Sequence, residues 1–183
     1  MAEWSTHLIA ALWLTLPIVV GGVAHMYAVS HQWLEGLKIP IHARWFGANK
    51  TWRGVVLMPL LTIPGAWLLH AASPWWPGTL HSLQAVPSTV LGLALGLGYI
   101  LMELPNSFIK RRLGIAPGET PEHLKALFIL IDQWDSAIGF TLAYALLTDL
   151  PATTLLTLIL IFPAVALGVK RLLFVLRWKE KAV

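Results

Sequence analysis

The sequence contains no cysteine and few charged residues. None of its 183 residues is Cys, and only 12% are Asp, Glu, Lys or Arg, whereas a soluble domain usually has about 25%. Without Cys the chain cannot form a disulfide framework, a thiolate metal site or a catalytic thiol. The low charge and the 57% share of hydrophobic residues exclude an intrinsically disordered chain. They indicate an integral membrane protein.

Five apolar stretches are separated by short polar connections. Each approaches the length of about 20 residues that a helix needs to cross a bilayer. They cover residues 8–29, 55–72, 88–104, 126–148 and 152–169. We therefore predict an all-α integral membrane protein, in which residues 1–183 form a single domain with five transmembrane helices.

The basic residues predict how these helices are oriented. All thirteen Lys and Arg follow the first, third or fifth stretch. They are Lys38, Arg44, Lys50 and Arg53; Lys110, Arg111, Arg112 and Lys125; and Lys170, Arg171, Arg177, Lys179 and Lys181. Five spans place all three groups on one side, which is the cytoplasmic side by the positive-inside rule. The N-terminus is then outside, the C-terminus is cytoplasmic, and the basic residues require no nucleic-acid partner.

Two acidic residues lie inside the fourth stretch, where each charge costs roughly 2.5–3.5 kcal/mol. Asp132 and Asp135 are three residues apart, so they share one helix face and repel each other. A hard divalent cation such as Mg²⁺, bound by oxygen ligands, would relieve that repulsion. The alternative is a pair of helix-start carboxylates at the interface, or ion pairs with the basic loops.

A third acid, Glu103, lies near the end of the third stretch. Glu103, Ser107 and Lys110 share one face of a continuous helix, and Arg111 is four residues beyond Ser107. Pro105 removes a backbone donor, so a kink or a break is expected there. The alternative is a capped helix with a basic end that reaches the interface.

Residues 46–54 precede the second stretch and read Phe-Gly-Ala-Asn-Lys-Thr-Trp-Arg-Gly. A Lys, a hydroxyl and an Arg here meet a predicted helix N-terminus, whose free N–H groups favour phosphate. The spacing is not that of a P-loop. Basic residues before a span are otherwise ordinary topology markers.

Two smaller features concern packing. Gly92 and Gly96 form a small-xxx-small face, which permits close contact with another helix of this chain or of a second protomer. The sequence therefore allows a homo-oligomer and does not decide the oligomeric state. His25, in the first stretch, is interpreted as a packed or interfacial histidine.

Three acids and several basic groups thus meet near the cytoplasmic ends of the helices. We predict a polar cavity there, suited to chemistry on a phosphorylated, metal-bound substrate. Because this site lies at the bilayer surface, a second substrate could be a lipid.

Three motifs carry a resemblance to a known family. They are Lys50-Thr51-Trp52-Arg53-Gly54, Ser107-Phe108-Ile109-Lys110-Arg111-Arg112-Leu113-Gly114 and Asp132-Gln133-Trp134-Asp135. In this order they resemble the CDP-archaeol synthase branch of the CTP:phosphatidate cytidylyltransferase superfamily. The resemblance implies a Mg²⁺-dependent cytidylyltransferase in a prokaryotic inner cell membrane, with its active site toward the cytoplasm. CTP and a lipid phosphate, archaeol-phosphate-like or phosphatidate-like, would give a CDP-lipid and pyrophosphate.

The resemblance also assigns roles to ten residues. Glu103, Asp132 and Asp135 would bind the metal. Asn49, Lys50, Thr51, Ser107, Lys110 and Arg111 would contact CTP or phosphate. The catalytic set would be Lys50, Arg53, Lys110, Asp132 and Asp135.

The chain departs from the family pattern at three positions near the site. Ala48 and Asn49 stand where the archaeol branch has Asp-Gly, and Glu103 replaces an Asp. Three other functions stay open: a CTP-dependent polyprenol kinase-like phosphotransferase, a non-catalytic relative that binds lipid or nucleotide, and a lipid-binding or transport protein.

Overall fold

The computed structural model describes residues 2–175, and it is built from helices. Five helices are long and apolar enough to span a membrane. They are α1 (Ala2–Ser30), α3 (Trp52–Ala71), α4 (Ser88–Arg112), α5 (Lys125–Leu147) and α6 (Ala152–Val175), and a single-turn helix, α2 (Ala43–Phe46), lies between α1 and α3. The prediction of five spans is confirmed. Arg177, Lys179 and Lys181 lie outside the described residues.

The five long helices pack side by side in a ring. Each contacts the next along the chain, and α6 returns to contact α1. Short 3₁₀ segments, Glu35–Leu37, Ser73–Trp75, Gly78–Ala85 and Glu122–Leu124, lie in the connections. We call the end with residues 31–51 and 113–124 the basic end. The other, with residues 72–87 and 148–151, is the opposite end.

The apolar core lies toward the opposite end. Leu14, Phe140 and Tyr144 are fully buried there, and Leu80 and Leu83 from the 3₁₀ segment close it. The hydroxyl of Tyr144 donates to the backbone oxygen of Leu14 at 3.0 Å, which satisfies its polar group inside the bundle. Polar side chains are thereby left to gather at the basic end.

Glycines allow α4 to approach both of its neighbours. A Cβ atom on Gly92 would lie 2.6 Å from the Cα of Ile63, and one on Gly96 would lie 2.8 Å from the backbone nitrogen of Pro59, both in α3. Gly98 of α4 contacts Gly139 of α5 in the same way. The small-residue face is therefore used for packing within the chain.

Of the kink or break expected at Pro105, the break is absent. Helix α4 continues through Pro105 to Arg112, although this proline lies in its interior. Helices α1, α3 and α6 also contain internal prolines, which membrane bundles tolerate because neighbouring groups satisfy the freed backbone. The continuous helix keeps Glu103, Ser107 and Lys110 on one face.

Candidate active site

A polar cavity of about 670 Å³ lies at the basic end, and we call it the basic-end cavity. The ends of α4 and α6, the first half of α5 and the loops that precede α3 and α5 supply its walls. Eight of the ten residues singled out from the sequence line it: Asn49, Lys50, Glu103, Ser107, Lys110, Arg111, Asp132 and Asp135. The structure therefore brings together side chains that are up to 86 positions apart (135 − 49 = 86).

Asp132 and Asp135 converge on one point of this cavity. The Nδ2 atom of Asn106 donates to Asp132 Oδ1 at 2.7 Å and to Asp135 Oδ2 at 2.6 Å. The shared helix face predicted from the three-residue spacing is thus present. Asn106 was not singled out from the sequence, although it lies three residues after Glu103 and four before Lys110, on the same helix face.

Lys110 neutralises one of these carboxylates. Its Nζ atom lies 2.5 and 2.6 Å from the two carboxylate oxygens of Asp132. Lys110 is only 8% exposed, and burial of an amine at this depth demands an opposite charge close by. The ring of Phe128 lies 5.5 Å from the same Nζ atom and adds a weaker cation–π contact.

Glu103 belongs to a second ion pair in the same cavity. It pairs with Lys50 through Oε2, and its Oε1 accepts from the hydroxyl of Ser136 at 3.3 Å. That hydroxyl lies 2.9 Å from Asp135 Oδ1 as well. Glu103 is therefore linked to Asp135 through Ser136.

The loop before α3 places Lys50 at the cavity. A backbone bridge joins Pro40 to Thr51, with Ile41 N donating to Lys50 O at 2.9 Å. Gly47 has a φ of +90°, where a side chain would be strained, and a Cβ atom there would lie 3.0 Å from Pro117. The two loops at the basic end thus meet beside the cavity.

Thr51 and Arg53 do not line the basic-end cavity. They line an adjoining space of about 220 Å³, which shares Asn49, Lys50 and Glu103 with it. Thr51 is the N-cap residue of α3, whereas the side chain of Arg53 is directed at a loop outside the basic-end cavity. Its Nη1 atom donates to Glu35 Oε2 at 2.7 Å. A hydrogen bond from Lys38 lowers the pKa of Glu35, which keeps this partner anionic.

Arg111 presents polar atoms that no described side chain satisfies. Its Nε and Nη1 atoms are buried and have no hydrogen-bond partner within residues 2–175, and the residue lines the basic-end cavity. A guanidinium with unused donors is a ready partner for a phosphate oxygen. Arg112 instead stacks on Phe108 at 4.7 Å, outside the cavity.

The predicted metal ligands are not gathered into one cluster. Within residues 2–175, no group of three or more His, Asp or Glu side chains is arranged to hold a metal ion, since Glu103 is separated from the aspartates by Ser136. Asp132 and Asp135 nevertheless direct two oxygens at one point, and Asn106 would add a third oxygen with its amide reversed. This donor set of hard oxygens fits Mg²⁺.

Three further residues of the cavity were not singled out from the sequence. Lys125, Gln133 and Lys170 line it, and Lys170 Nζ donates to Gln133 Oε1 at 3.1 Å. Gln133 lies between the two aspartates in sequence, and Lys170 belongs to the third basic group. Both could therefore have been singled out from the sequence. His25 lines the space beside Arg53, with a buried Nε2 atom that has no described partner.

Several known proteins are similar to this chain in sequence. A model of the CarS-like CDP-archaeol synthase family matches residues 5–182. A CDP-archaeol synthase from Pyrococcus furiosus is 27% identical over 166 residues, which cover 90% of this chain and 86% of the relative. Another, from Staphylothermus marinus, is 31% identical over 131 residues, or 70% and 59% of the two chains. No solved structure matches the chain.

The family match covers the chain from the start of α1 to beyond α6, including every wall of the basic-end cavity. The five apolar helices make the protein a multi-pass membrane protein. The chain therefore belongs to the CDP-archaeol synthase family and is a CTP-dependent nucleotidyltransferase of the cytidylyltransferase class.

Proposed function

We propose that this enzyme transfers a cytidylyl group from CTP to a lipid phosphate and releases pyrophosphate. The observation that carries the proposal is the pair of converging carboxylates, Asp132 and Asp135, in one cavity with Lys50, Lys110 and Arg111. Acids for a metal and cations for phosphates are the groups that phosphoryl and nucleotidyl transfer require. The family to which the chain belongs indicates that the nucleotide is CTP and that the reaction is cytidylyl transfer.

In the proposed reaction, an oxygen of the lipid phosphate attacks the α-phosphorus of CTP. A new P–O bond forms there, and the bond to the oxygen bridging the α- and β-phosphorus breaks, so that oxygen leaves with pyrophosphate. The attacking phosphate is already an anion, and no strong general base is needed. Lys50, Lys110 and Arg111 bind phosphate oxygens and stabilise the charge that develops on the leaving group.

Asp132 and Asp135, with Asn106, would hold Mg²⁺. A Mg²⁺ ion held there would supply positive charge to the nucleotide phosphates and favour their alignment for in-line attack. Lys110 would release part of its contact with Asp132 when it binds a phosphate oxygen. Ser107 is buried beside Lys110 on the same face of α4 and would add a hydroxyl donor. Glu103 as a metal ligand, and Thr51 and Arg53 as CTP or catalytic residues, stay predictions.

The lipid we propose is an archaeol-phosphate-like diether, since the relatives are CDP-archaeol synthases. A phosphatidate-like lipid is the other member of the same chemical class. The basic end carries the described Lys and Arg side chains, so we place it and the active site at the cytoplasmic face of the cell membrane. The N-terminus is then outside and the C-terminus inside.

The test is a reaction of the purified protein with CTP and a panel of lipid phosphates. We expect a CDP-lipid, identified by its mass, that forms with Mg²⁺ and not with a chelator. A diether glycerol phosphate should react fastest. Formation of a phosphorylated lipid and CDP from a polyprenol would instead identify a kinase, and the absence of any lipid product would identify a binding protein.

A further inference from the structure

An ion pair outside the basic-end cavity joins α3 to the segment that follows α1. Arg53, in the first turn of α3, is only 8% exposed, and its Nη1 atom donates to Glu35 Oε2 at 2.7 Å. Among residues 2–175, Glu35 is the one acid that pairs with Arg53. A guanidinium buried to this extent needs such a partner, because an unpaired buried charge is costly.

The backbone next to Glu35 has an uncommon conformation. Gln32 and Leu34 have φ values of 58° and 53°, in the left-handed region that a bulky residue such as Leu rarely adopts. Glu35 then begins a 3₁₀ segment, and its Oε1 atom accepts from Lys38 Nζ at 2.9 Å. A strained backbone persists only where the surrounding contacts hold it. The pair with Arg53 is one of these contacts.

The chain that follows the 3₁₀ segment is bonded to the backbone on both sides of Thr51. Ile41 N donates to Lys50 O at 2.9 Å, and Trp52 N donates to Ile39 O at 3.0 Å. Together with the ion pair, these bonds fix residues 35–41 to the start of α3 at three points. We call residues 46–51 the lysine loop, because this is the loop that places Lys50 at the basic-end cavity.

The lysine loop is restrained from inside the cavity as well. Lys50 Nζ pairs there with Glu103. In the proposed reaction Lys50 exchanges Glu103 for a phosphate oxygen, so this restraint is lost when the nucleotide binds. Neither Glu35 nor Arg53 lines the basic-end cavity, so their ion pair is kept during the exchange.

We propose that Glu35 is a positioning residue for this reaction and acts through Arg53. The two side chains hold the lysine loop at the cavity while Lys50 moves from Glu103 to a phosphate oxygen of CTP. Glu35 itself contacts no substrate. This inference rests on the proposed function, because that function gives Lys50 its task. The competing hypothesis is the role that the sequence predicts for Arg53, direct action on CTP.

The first experiment removes the charge of Glu35 and keeps its shape. Glu35→Gln should raise the KM for CTP roughly tenfold, because a small displacement of a binding group is costly, and should leave the KM for the lipid phosphate within about twofold. Glu35→Asp keeps the charge and should recover part of the loss. The matched control is Glu122→Gln, since Glu122 is an exposed acid at the basic end that lines none of the described cavities; its KM values should equal those of the parent protein.

The second experiment exchanges the two charges. It uses a Lys38→Gln background, which removes the cation beside position 35. Arg53→Glu alone should lose most of the activity, and Glu35→Arg added to it should restore the KM for CTP to within about threefold of the background. A glutamate in the first turn of α3 also suits the positive end of the helix. If Arg53 acts on CTP directly, the exchanged pair stays inactive, and that result would overturn the inference.

A double-mutant cycle tests the same pair without exchanged charges. If Glu35 acts only through Arg53, the variant with both Glu35→Gln and Arg53→Gln should lose no more affinity for CTP than Arg53→Gln does. Losses that add would show that the two side chains act separately, and they would contradict the inference.

Binding of CTP separates this inference from the proposed function. Equilibrium dialysis with labelled CTP and Mg²⁺, without lipid phosphate, should show roughly tenfold weaker binding by Glu35→Gln. If the parent protein binds CTP but forms no CDP-lipid, the proposed function fails, and weaker binding by the variant still supports the positioning role. If Glu35→Gln binds CTP as the parent protein does, the inference is wrong, whatever the change in its thermal midpoint, because the pair is then only structural.

Discussion

At the scale of single residues, the site depends on acids and bases that neutralise one another inside apolar helices. Lys110 contacts both oxygens of Asp132, and Lys50 pairs with Glu103. A buried pair is costly to break, because removing one partner leaves an uncompensated charge. The same groups can exchange these partners for phosphate oxygens and a metal. The ion pairs therefore stabilise the fold of the site before substrate and metal bind.

Asp135→Asn should abolish cytidylyl transfer while the protein still folds. The substitution keeps the shape of the side chain and removes the charge that would hold the metal, so we expect a loss of more than about 100-fold in kcat/KM. The initial rate of pyrophosphate release measures this loss, and the thermal midpoint in detergent confirms folding.

Asp149→Asn is the control for that experiment. Asp149 is exposed in the loop at the opposite end, far along the bundle from the basic-end cavity, and its substitution should leave the rate unchanged. A rate for Asp135→Asn close to that of this control would contradict the assignment of Asp135 as a metal ligand.

The sequence predicted the site residues that follow helix periodicity and was less informative about the others. Asp132 and Asp135, or Glu103 and Lys110, share a face because of their spacing alone. The pairing of Lys170 with Gln133, 37 positions away, depends on how α5 and α6 pack, which no local pattern reports. Arg53 illustrates the same limit, since its partner Glu35 lies in a separate loop segment.

At the scale of the elements, α4 combines two tasks on different faces. Gly92, Gly96 and Gly98 let it approach α3 and α5 closely, and its last turns carry Glu103, Asn106 and Lys110 into the cavity. Close packing at the glycines therefore fixes the position of the polar face relative to Asp132 and Asp135 of α5.

Gly96→Ala should destabilise the bundle. The added Cβ would lie 2.8 Å from Pro59 N and 2.9 Å from Met58 O, and backbone atoms cannot move aside as a flexible side chain does. We expect a loss of about 1–3 kcal/mol, the usual cost of overpacking. Thermal unfolding in detergent measures the change.

Gly168→Ala is the matched helical control. A Cβ atom at Gly168 meets nothing within 4 Å, and alanine favours a helix more than glycine does. The thermal midpoint of this variant should stay the same or rise. A Gly96→Ala protein as stable as Gly168→Ala would show that the close contact between α3 and α4 is not needed.

Hydrophobic length predicted which segments form helices and was less reliable about their ends. Helix α4 continues past residue 104 to Arg112, and α6 continues past residue 169 to Val175, because basic residues at the membrane surface extend a helix as readily as apolar ones. Of the kink or break expected at Pro105, the break does not occur, for a related reason. The effect of a proline is set by the neighbours that satisfy the backbone, and these are visible only in the packed bundle.

At the scale of the whole molecule, the bundle separates an apolar half from a polar one. The core around Phe140 and Tyr144 lies toward the opposite end, whereas the basic-end cavity lies among the other helix ends. A nucleotide from water and a lipid from the bilayer would meet at such a cavity. This requires the basic end to face the cytoplasm, where CTP is made.

The orientation can be tested directly because the chain has no cysteine. Glu122→Cys places a single thiol at the basic end, and Asp149→Cys places one at the opposite end; both positions are exposed. In intact cells, a membrane-impermeant maleimide should label Asp149→Cys and not Glu122→Cys, and lysis should make both reactive. Labelling of Glu122→Cys in intact cells would contradict the proposed topology and indicate the reverse orientation.

The fate of the individual phosphates of CTP tests the proposed chemistry most directly. Purified protein, Mg²⁺ and a diether glycerol phosphate would be incubated with CTP labelled at the α- or the γ-phosphorus. We predict that the α label appears in the lipid product and the γ label in pyrophosphate. Appearance of the γ label in the lipid would contradict cytidylyl transfer and show a kinase.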